Sequence, residues 1–149
     1  MEYRILTPLR TRINEIIALC HAHAEYEQSS YVKANKMELL SRDMWTQPPK
    51  LHCLVAESEG KYIGYITWMV QYSTWDAAEY LYMDCLYVEE EFRGLGIGEE
   101  LVKFMKEFGQ KKNIELVQWQ TPTFNDRAMK FYKRMGAESK SKERFFLKI

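Results

Sequence analysis

Glu91-Phe92-Arg93-Gly94-Leu95-Gly96-Ile97-Gly98 lies between an apolar run, Tyr80 to Val88, and an amphipathic run, Ile97 to Lys111. The first run is rich in β-branched and aromatic residues and the second has helical period, so the stretch reads as strand, tight loop, helix. Ile97, Leu101, Met105 and Phe108 recur at spacings of three and four, with Val102 and Phe104 widening the stripe. That face must pack against a sheet. Glycines at 94, 96 and 98 let the backbone pass close to a ligand, and the first N–H groups of the helix have no internal partners. The loop is therefore suited to hold an anion, with Arg93 adding a fixed charge. The chemistry implied is pyrophosphate binding by backbone amides.

The spacing narrows which pyrophosphate. A dinucleotide fingerprint, G-x-G-x-x-G, would need glycine at 99, where the chain has Glu99. A triphosphate-binding loop would need Gly-Lys-Ser/Thr, but Gly98 is followed by Glu99 and Glu100. What fits is R-x-x-G-x-G at Arg93, Gly96 and Gly98. With Leu86-Tyr87-Val88 before it and Asn125 to Ala137 after it, the pattern resembles the GNAT superfamily of acyl-CoA N-acyltransferases. Within that superfamily the chain is most similar to the spermidine/spermine N-acetyltransferase group, which includes diamine and thialysine acetyltransferases. The likeness runs from about Tyr26 to Ile149. It includes His52-Cys53-Leu54-Val55-Ala56-Glu57 and Phe131-Tyr132-Lys133-Arg134-Met135-Gly136-Ala137.

Composition sets the bounds. A chain of 149 residues is a one-domain length, able to bury roughly two-thirds of the surface its unfolded form exposes. Lys plus Arg equal Asp plus Glu at 21 each, so no global field recruits nucleic acid or an anionic membrane. Cys20, Cys53 and Cys85 are odd in number and scattered, the start lacks a signal-peptide pattern, and no apolar run approaches the ~20 residues of a membrane span. A cytoplasmic protein with free thiols is expected. Cys20-His21-Ala22-His23 and His52-Cys53 could suggest a metal site. Neighbours on a helix or strand point in different directions, however, so these read as packing or surface residues and no metal is expected.

Tyr3 to Leu6 reads as a short strand left by a turn at Thr7-Pro8-Leu9. A first helix covers about Thr11 to Tyr26, on the spacing of Ile13, Ile16, Ile17 and Cys20. A second, roughly Lys33 to Trp45, should bury Met37, Leu40 and Met44 before Gln47-Pro48-Pro49 ends it. Leu51 to Glu57 and Tyr62 to Tyr72 are strands joined by hairpin chemistry at Ser58 to Lys61. After the turn Ser73 to Ala78 comes a central strand, Glu79 to Val88. Beyond the long helix, Ile114 to Gln120 reads as a strand. Asn125 starts a helix carrying Ala128, Phe131, Tyr132 and Met135, with Gly136 as its stop. Ala137 to Ile149 gives a final strand or hairpin. The resemblance implies this order, β-α-α-β-β-β-α-β-α-β. It implies an α/β (α+β) GNAT fold over a single domain, 1–149, a mixed central sheet with helices on both faces. The acyl-CoA arm lies where the central strand and the strand after the long helix splay apart.

Moving an acetyl group from a thioester to an amine requires four things: an anchored carrier, a neutral amine, a stabilised oxyanion and a proton for the departing thiolate. Alkyl ammonium groups have pKa near ~10.4, so a proton must leave before attack, and a thiol of pKa ~8.5 leaves better beside an acid. Tyr132 is the candidate acid. A phenol of pKa ~10 is protonated at neutral pH, and the resemblance places this tyrosine's hydroxyl at the CoA sulfur. Asp84, in the apolar run Leu81 to Val88, is expensive to bury unpartnered and is therefore expected to face the cleft. The resemblance puts Asp84 where polyamine enzymes carry a glutamate. One methylene shorter, it acts as base or as the anchor of a water.

A bulge near Leu86 to Val88 would free an N–H donor for the oxyanion. The resemblance pairs Leu86, Tyr87 and Val88 with the pantetheine amides. It gives the CoA site Arg93, Gly94, Leu95, Gly96, Ile97, Gly98 and Glu99, together with Asn125 and Ala128; Asn125 also reads as a helix N-cap. By the same resemblance Glu25, Glu27, Trp75, Asp76 and Glu79 line the acceptor site, where carboxylates and an aromatic wall suit an ammonium. Gln118, Trp119 and Gln120 lie across the cleft. The leading expectation is thus an acetyl-CoA-dependent N-acetyltransferase acting on a primary amine of a diamine, polyamine or lysine-like amino acid. A peptide or protein N-acetyltransferase and a non-catalytic acyl-CoA-binding module are the alternatives. The resemblance also implies a homodimer.

Overall fold

The structure, a computed structural model, describes residues 1–32 and 34–149. Among the described residues five strands lie side by side in chain order: β1 (Arg4–Leu6), β2 (His52–Ser58), β3 (Lys61–Ser73), β4 (Ala78–Val88) and β5 (Val117–Gln118). The first four are antiparallel, and β5 alone runs parallel to its neighbour β4. A parallel pair needs a crossover, and α3 (Ile97–Lys111) supplies it. The remaining helices are α1 (Ile13–Tyr26), α2 (Lys36–Met44) and α4 (Asp126–Arg134).

Two cores occupy the two faces of the sheet, giving the mixed sheet with helices on both sides that the sequence led us to expect. On one face Ile97, Leu101, Val102 and Met105 of α3 pack on Ile63, Ile66, Trp68, Leu81 and Met83. On the other, Ile13, Ile16, Ile17 and Leu19 of α1 and Met44 of α2 pack on Val55, Tyr62 and Tyr65. The stripe read from the α3 sequence is the buried one, except that Phe104 at its margin stays exposed.

Two irregularities in register set which side chains meet. The β2–β3 pairing steps from Ala56↔Gly64 to Glu57↔Tyr62, so Ile63 is the extra residue and Tyr62 and Tyr65 share a face. The β3–β4 pairing steps from Thr67↔Cys85 to Trp68↔Met83. Asp84 is the extra residue there. A bulge shifts the alternation of a strand by one: Leu81 and Met83 belong to the α3 core, while Cys85 and Tyr87 belong to the α1 core. The β2–β3 hairpin turns on Glu59 and Gly60, both at positive φ (49° and 76°), the geometry a two-residue connection demands.

Several boundaries differ from the sequence expectation. A short 3₁₀ turn over Arg10–Arg12 precedes α1. α2 begins at Lys36, because Asn35 takes a left-handed conformation (φ 62°) and halts helical propagation upstream; Lys33 lies outside the described residues. Met37, expected in the core, is 48% exposed, and of that helix only Met44 is buried. The strand expected over Ile114 to Gln120 shrinks to Val117–Gln118, because β4 offers it pairing only at Leu81 and Tyr82. The final strand or hairpin expected over Ala137 to Ile149 does not form in this chain. So short a β5 offers little ladder for it to join, and Phe145, Phe146 and Leu147 are left 89%, 80% and 93% exposed. Among the described residues no helix is long and apolar enough to cross a membrane.

Candidate functional site

After Tyr82, β4 and β5 part, and among the described residues the β5-facing edge of β4 from Met83 to Val88 carries no strand. Three further elements close around that gap: the end of α1, the loop into α3, and α4. The result is a cleft of about 380 Å³.

The loop forms its floor. Gly94 and Gly96 hold φ of +78° and +81°, and nothing lies within 4 Å of where a Cβ would stand at either. Side chains are excluded there by conformation, and the backbone is bare toward the cleft. Gly96 caps α3, and the first helical bond runs from Glu100 N–H to the Gly96 carbonyl at 3.0 Å. The N–H groups of Ile97, Gly98 and Glu99 are left without intrahelical partners, at the positive end of the helix dipole. Gly98 has a different task from its neighbours. A Cβ there would sit 3.3 Å from Phe131 Cζ, so its smallness lets α4 close over α3.

Arg93 is anchored as much as it is presented. Its Nε donates to the Val88 carbonyl at 2.8 Å, and its guanidinium stands 4.4 Å over the Tyr26 ring and 5.4 Å over Tyr87. Opposite, Asn125 Oδ1 accepts from Ala128 N–H at 3.2 Å as the N-cap of α4 and from the Tyr26 hydroxyl at 3.0 Å. The cap expected from sequence therefore also clasps α4 to α1.

α4 presents Tyr132 to the cleft. Its ring meets Trp119 edge-on at 5.0 Å. Burial, with the Glu27 charge adding, pushes the hydroxyl well above the usual tyrosine range, so it stays protonated. The same helix turns Arg127, Lys130 and Arg134 to the cleft. Among the described residues none of the three takes part in an ion pair. Bare amides, a helix N-terminus and a cationic stripe together form a receptor for a multiply charged phosphate ligand.

Of the residues assigned to the acyl-CoA site, Leu86, Tyr87, Val88, Arg93, Gly94, Gly96, Ile97, Gly98, Glu99, Asn125 and Ala128 all line this cleft. Leu95 does not, and is 49% exposed. Glu27 is on the wall. Trp75 and Asp76 lie in the β3–β4 hairpin tip, the opposite end of β4 from the loop, and Trp75 is 98% exposed. Gln118 and Gln120 are exposed, and Trp119 stands behind Tyr132 without lining the cleft. Asp84 is exposed on its bulge, outside the lining, with Cys85 Sγ 3.7 Å from its Oδ2. That bulge lies upstream of the position expected. Leu86, Tyr87 and Val88 pair in regular register with Ile66, Tyr65 and Gly64, so free main-chain groups there come from the splay of β4 and β5.

The cleft also contains residues not singled out from sequence: His23, Tyr26, Phe92, Thr121 and three of the four basic residues of α4, Arg127, Lys130 and Arg134. The spacing of three and four between Arg127, Lys130 and Arg134 was a legible signal. No such signal marked His23. Among the described residues no group of three or more His, Cys, Asp or Glu side chains could share a metal.

The profile of the family described as "Acetyltransferase (GNAT) family" matches residues 13–137. The chain is 35% identical over 132 residues to the thialysine N-epsilon-acetyltransferase of Bos taurus, spanning 83% of this chain and 76% of that protein. It is 29% identical to the enzyme of the same name from Mus musculus, with 91% and 84% covered. Among solved structures, an aminoglycoside N-acetyltransferase, AAC(6')-Iy in complex with CoA, superposes with a TM-score of 0.82 at 17% identity, covering 99% of this chain and 95% of that one. That likeness is of fold. Matched by family profile, by relatives over most of its length and by a cleft built for a phosphate-bearing carrier, the chain belongs to the acetyltransferase (GNAT) family, acyltransferases that take acetyl-CoA as co-substrate.

Proposed function

We propose that this chain, as one acetyltransferase domain, moves the acetyl group of acetyl-CoA directly to a primary amine of a diamine, polyamine or lysine-like amino acid. The observation that carries the proposal is the meeting of the bare Gly94–Gly96 loop and α3 N-terminus with the protonated Tyr132 at the gap between β4 and β5. The name shared by the bovine and murine relatives, thialysine N-epsilon-acetyltransferase, supports a small amino-acid amine as acceptor.

In this reading the loop amides and Arg127, Lys130 and Arg134 hold the phosphates, and the free edge of β4 holds the carrier's amides. The amine nitrogen attacks the thioester carbon while Asp84, which stands outside the cleft lining, receives its proton as the anchor of a water. Main-chain N–H groups of the β4 edge steady the oxyanion. Tyr132 gives its proton to the sulfur as the carbon–sulfur bond breaks, and then recovers one from solvent. Glu27 on the wall attracts the cationic acceptor. Cys20, Cys53 and Cys85 are all free thiols, which suits a reducing, cytoplasmic setting. Exposed Phe145, Phe146 and Leu147 on one tail support a homodimer.

Free-thiol release from acetyl-CoA, measured against thialysine, lysine, putrescine, spermidine and peptide N-termini, tests the assignment. Turnover with one of the first four and none with peptides is expected. Turnover confined to peptides would make the chain a peptide acetyltransferase, and CoA binding without turnover on any amine would make it a carrier-binding module.

A further inference from the structure

His23 is a buried titratable side chain that the transfer chemistry above does not use. It is 9% exposed, yet it stands on the cleft wall. α1 places it one turn before Glu27, and its Nε2 is 3.2 Å from Glu27 Oε1. Its Nδ1 is 2.8 Å from the Tyr65 hydroxyl. The ring stacks on Tyr87, with centroids 5.2 Å apart at 23°, and meets Tyr65 edge-on at 5.9 Å. Each ring nitrogen thus has one partner, and the plane of the ring is clamped. Packing alone would be served by an apolar side chain without the desolvation cost of an imidazole.

We propose that His23 is a positioning residue that sets the charge Glu27 presents to the acceptor. While neutral, it donates Nε2–H to Oε1 and leaves a full negative charge for an ammonium in the cleft; once protonated, it closes an ion pair with Glu27 and withdraws that charge. The inference rests on the acceptor being a cationic amine, as proposed above.

The charges around the ring agree with a neutral resting state. Burial lowers the proton affinity of His23. Glu27 at the C-cap of its own helix and Asp84 on β4 oppose that, and Arg93 from the loop before α3 reinforces it, with the balance downward. Tyr65, on β3, is itself held protonated by burial, so its hydroxyl has a hydrogen to give Nδ1 at 2.8 Å, and we assign it as the donor. With Nδ1 accepting, the ring hydrogen sits on Nε2, which faces Glu27 Oε1 at 3.2 Å. A proton on His23 and an ammonium on Glu27 compete for the same carboxylate, and by linkage each weakens the other.

The test follows the His23 imidazole by nitrogen NMR across about pH 5 to 8, in the wild-type protein and in Glu27→Gln, with and without putrescine or L-lysine. The Nε2–H tautomer is expected at the upper end. The midpoint should fall by roughly one unit or more in Glu27→Gln, the size of losing an opposite charge in contact, and should fall also when a bound amine occupies Glu27. In parallel, the KM for any amine turned over should rise about tenfold per unit of acidification below the midpoint, with kcat changing less. His23→Gln, whose amide donates without titrating, should flatten that rise. An Nδ1–H tautomer, a midpoint indifferent to Glu27→Gln, or an unchanged acid limb in His23→Gln would overturn the proposal. If no amine is acetylated while the midpoint still responds to Glu27→Gln, the acetyl-transfer reading fails and the coupling stands.

Discussion

Arg93 Nε donates to the Val88 carbonyl at 2.8 Å while its guanidinium covers the Tyr26 ring. One side chain thus joins the end of β4, the end of α1 and the loop that opens α3. The loop's open conformation depends on that joint, because Gly94 and Gly96 have no side chains of their own to hold them. Arg93→Ala should therefore cost about 2 kcal/mol of stability, the scale of a charged hydrogen bond, and weaken acetyl-CoA binding about tenfold or more. Denaturant unfolding and calorimetric titration with acetyl-CoA check the two parts separately. A binding loss with no stability loss would mean that Arg93 acts on the phosphates alone.

Gly96→Val combines a β-branched side chain with a φ of +81°. Such backbone costs roughly 1–3 kcal/mol in a residue with a Cβ, and the new methyl groups would project into the space the phosphates need. Acetyl-CoA binding should be abolished in a protein that remains folded by circular dichroism. Gly98→Val should instead force Phe131 away from its 3.3 Å approach and lower the melting temperature. Normal affinity in Gly96→Val would mean that the loop does not hold the pyrophosphate.

Tyr132→Phe removes a hydroxyl that accepts no side-chain hydrogen bond in the described residues, while the ring against Trp119 survives. Turnover should drop by about 10²–10⁴, the usual contribution of a positioned general acid, with acetyl-CoA affinity within about twofold. Pre-steady-state thiol release measures the chemical step directly. Unchanged turnover would eliminate the acid role.

What the sequence disclosed follows from how local each signal was. The α3 stripe, the Glu59-Gly60 hairpin and the glycine loop are patterns of a few consecutive residues with one physical solution each, and all three are in place. Leu86 to Val88 and Tyr132 were reached through the resemblance, and they line one cleft. The bulge at Asp84 was not legible, because nothing in Leu81 to Val88 marks where the alternation slips; the slip is decided by which side chains β3 and the two cores can accept. The same slip moves Asp84 out to solvent. His23 was read as a packing or surface residue because two of its partners, Tyr65 and Tyr87, come from β3 and β4, distant in sequence. The tail failed as a strand because a strand exists only with a partner, and β5 supplies two residues.

Glu57 offers a stability prediction away from the cleft. It is buried at the end of β2, accepts from Arg4 Nη2 at 2.6 Å, and bonds Arg12, which also holds Glu15. Hydrogen bonds from Arg12, and for Glu57 also from Arg4, hold both carboxylates below their usual range. A depressed folded-state pKa stabilises above the unfolded value of ~4.3 and is lost as pH falls through the folded value. Urea midpoints should therefore decline below about pH 5. Glu57→Gln should lower stability at neutral pH by about 1–2 kcal/mol, the scale of hydrogen bonds to charged groups, since Arg4 and Arg12 stay in reach of water, and make the acid decline shallower. An acid decline of wild-type steepness in Glu57→Gln would place its source elsewhere.

The tail tests the homodimer. Phe145, Phe146 and Leu147 are each at least 80% exposed, a grouping of apolar side chains that water disfavours by about 1.5–3 kcal/mol for each one buried instead. Arg144, beside them, places its guanidinium 4.9 Å over the Phe146 ring, a contact that would leave one face of that ring for another molecule. Replacing Phe145, Phe146 and Leu147 by serine removes the apolar surface without touching either core of the sheet. Sedimentation equilibrium should show the wild-type chain as a dimer and the triple variant as a monomer, both with unchanged far-ultraviolet circular dichroism. A wild-type monomer at the concentrations used for turnover would remove the dimer from the proposal, and a dimer that persists in the variant would move the interface to another face.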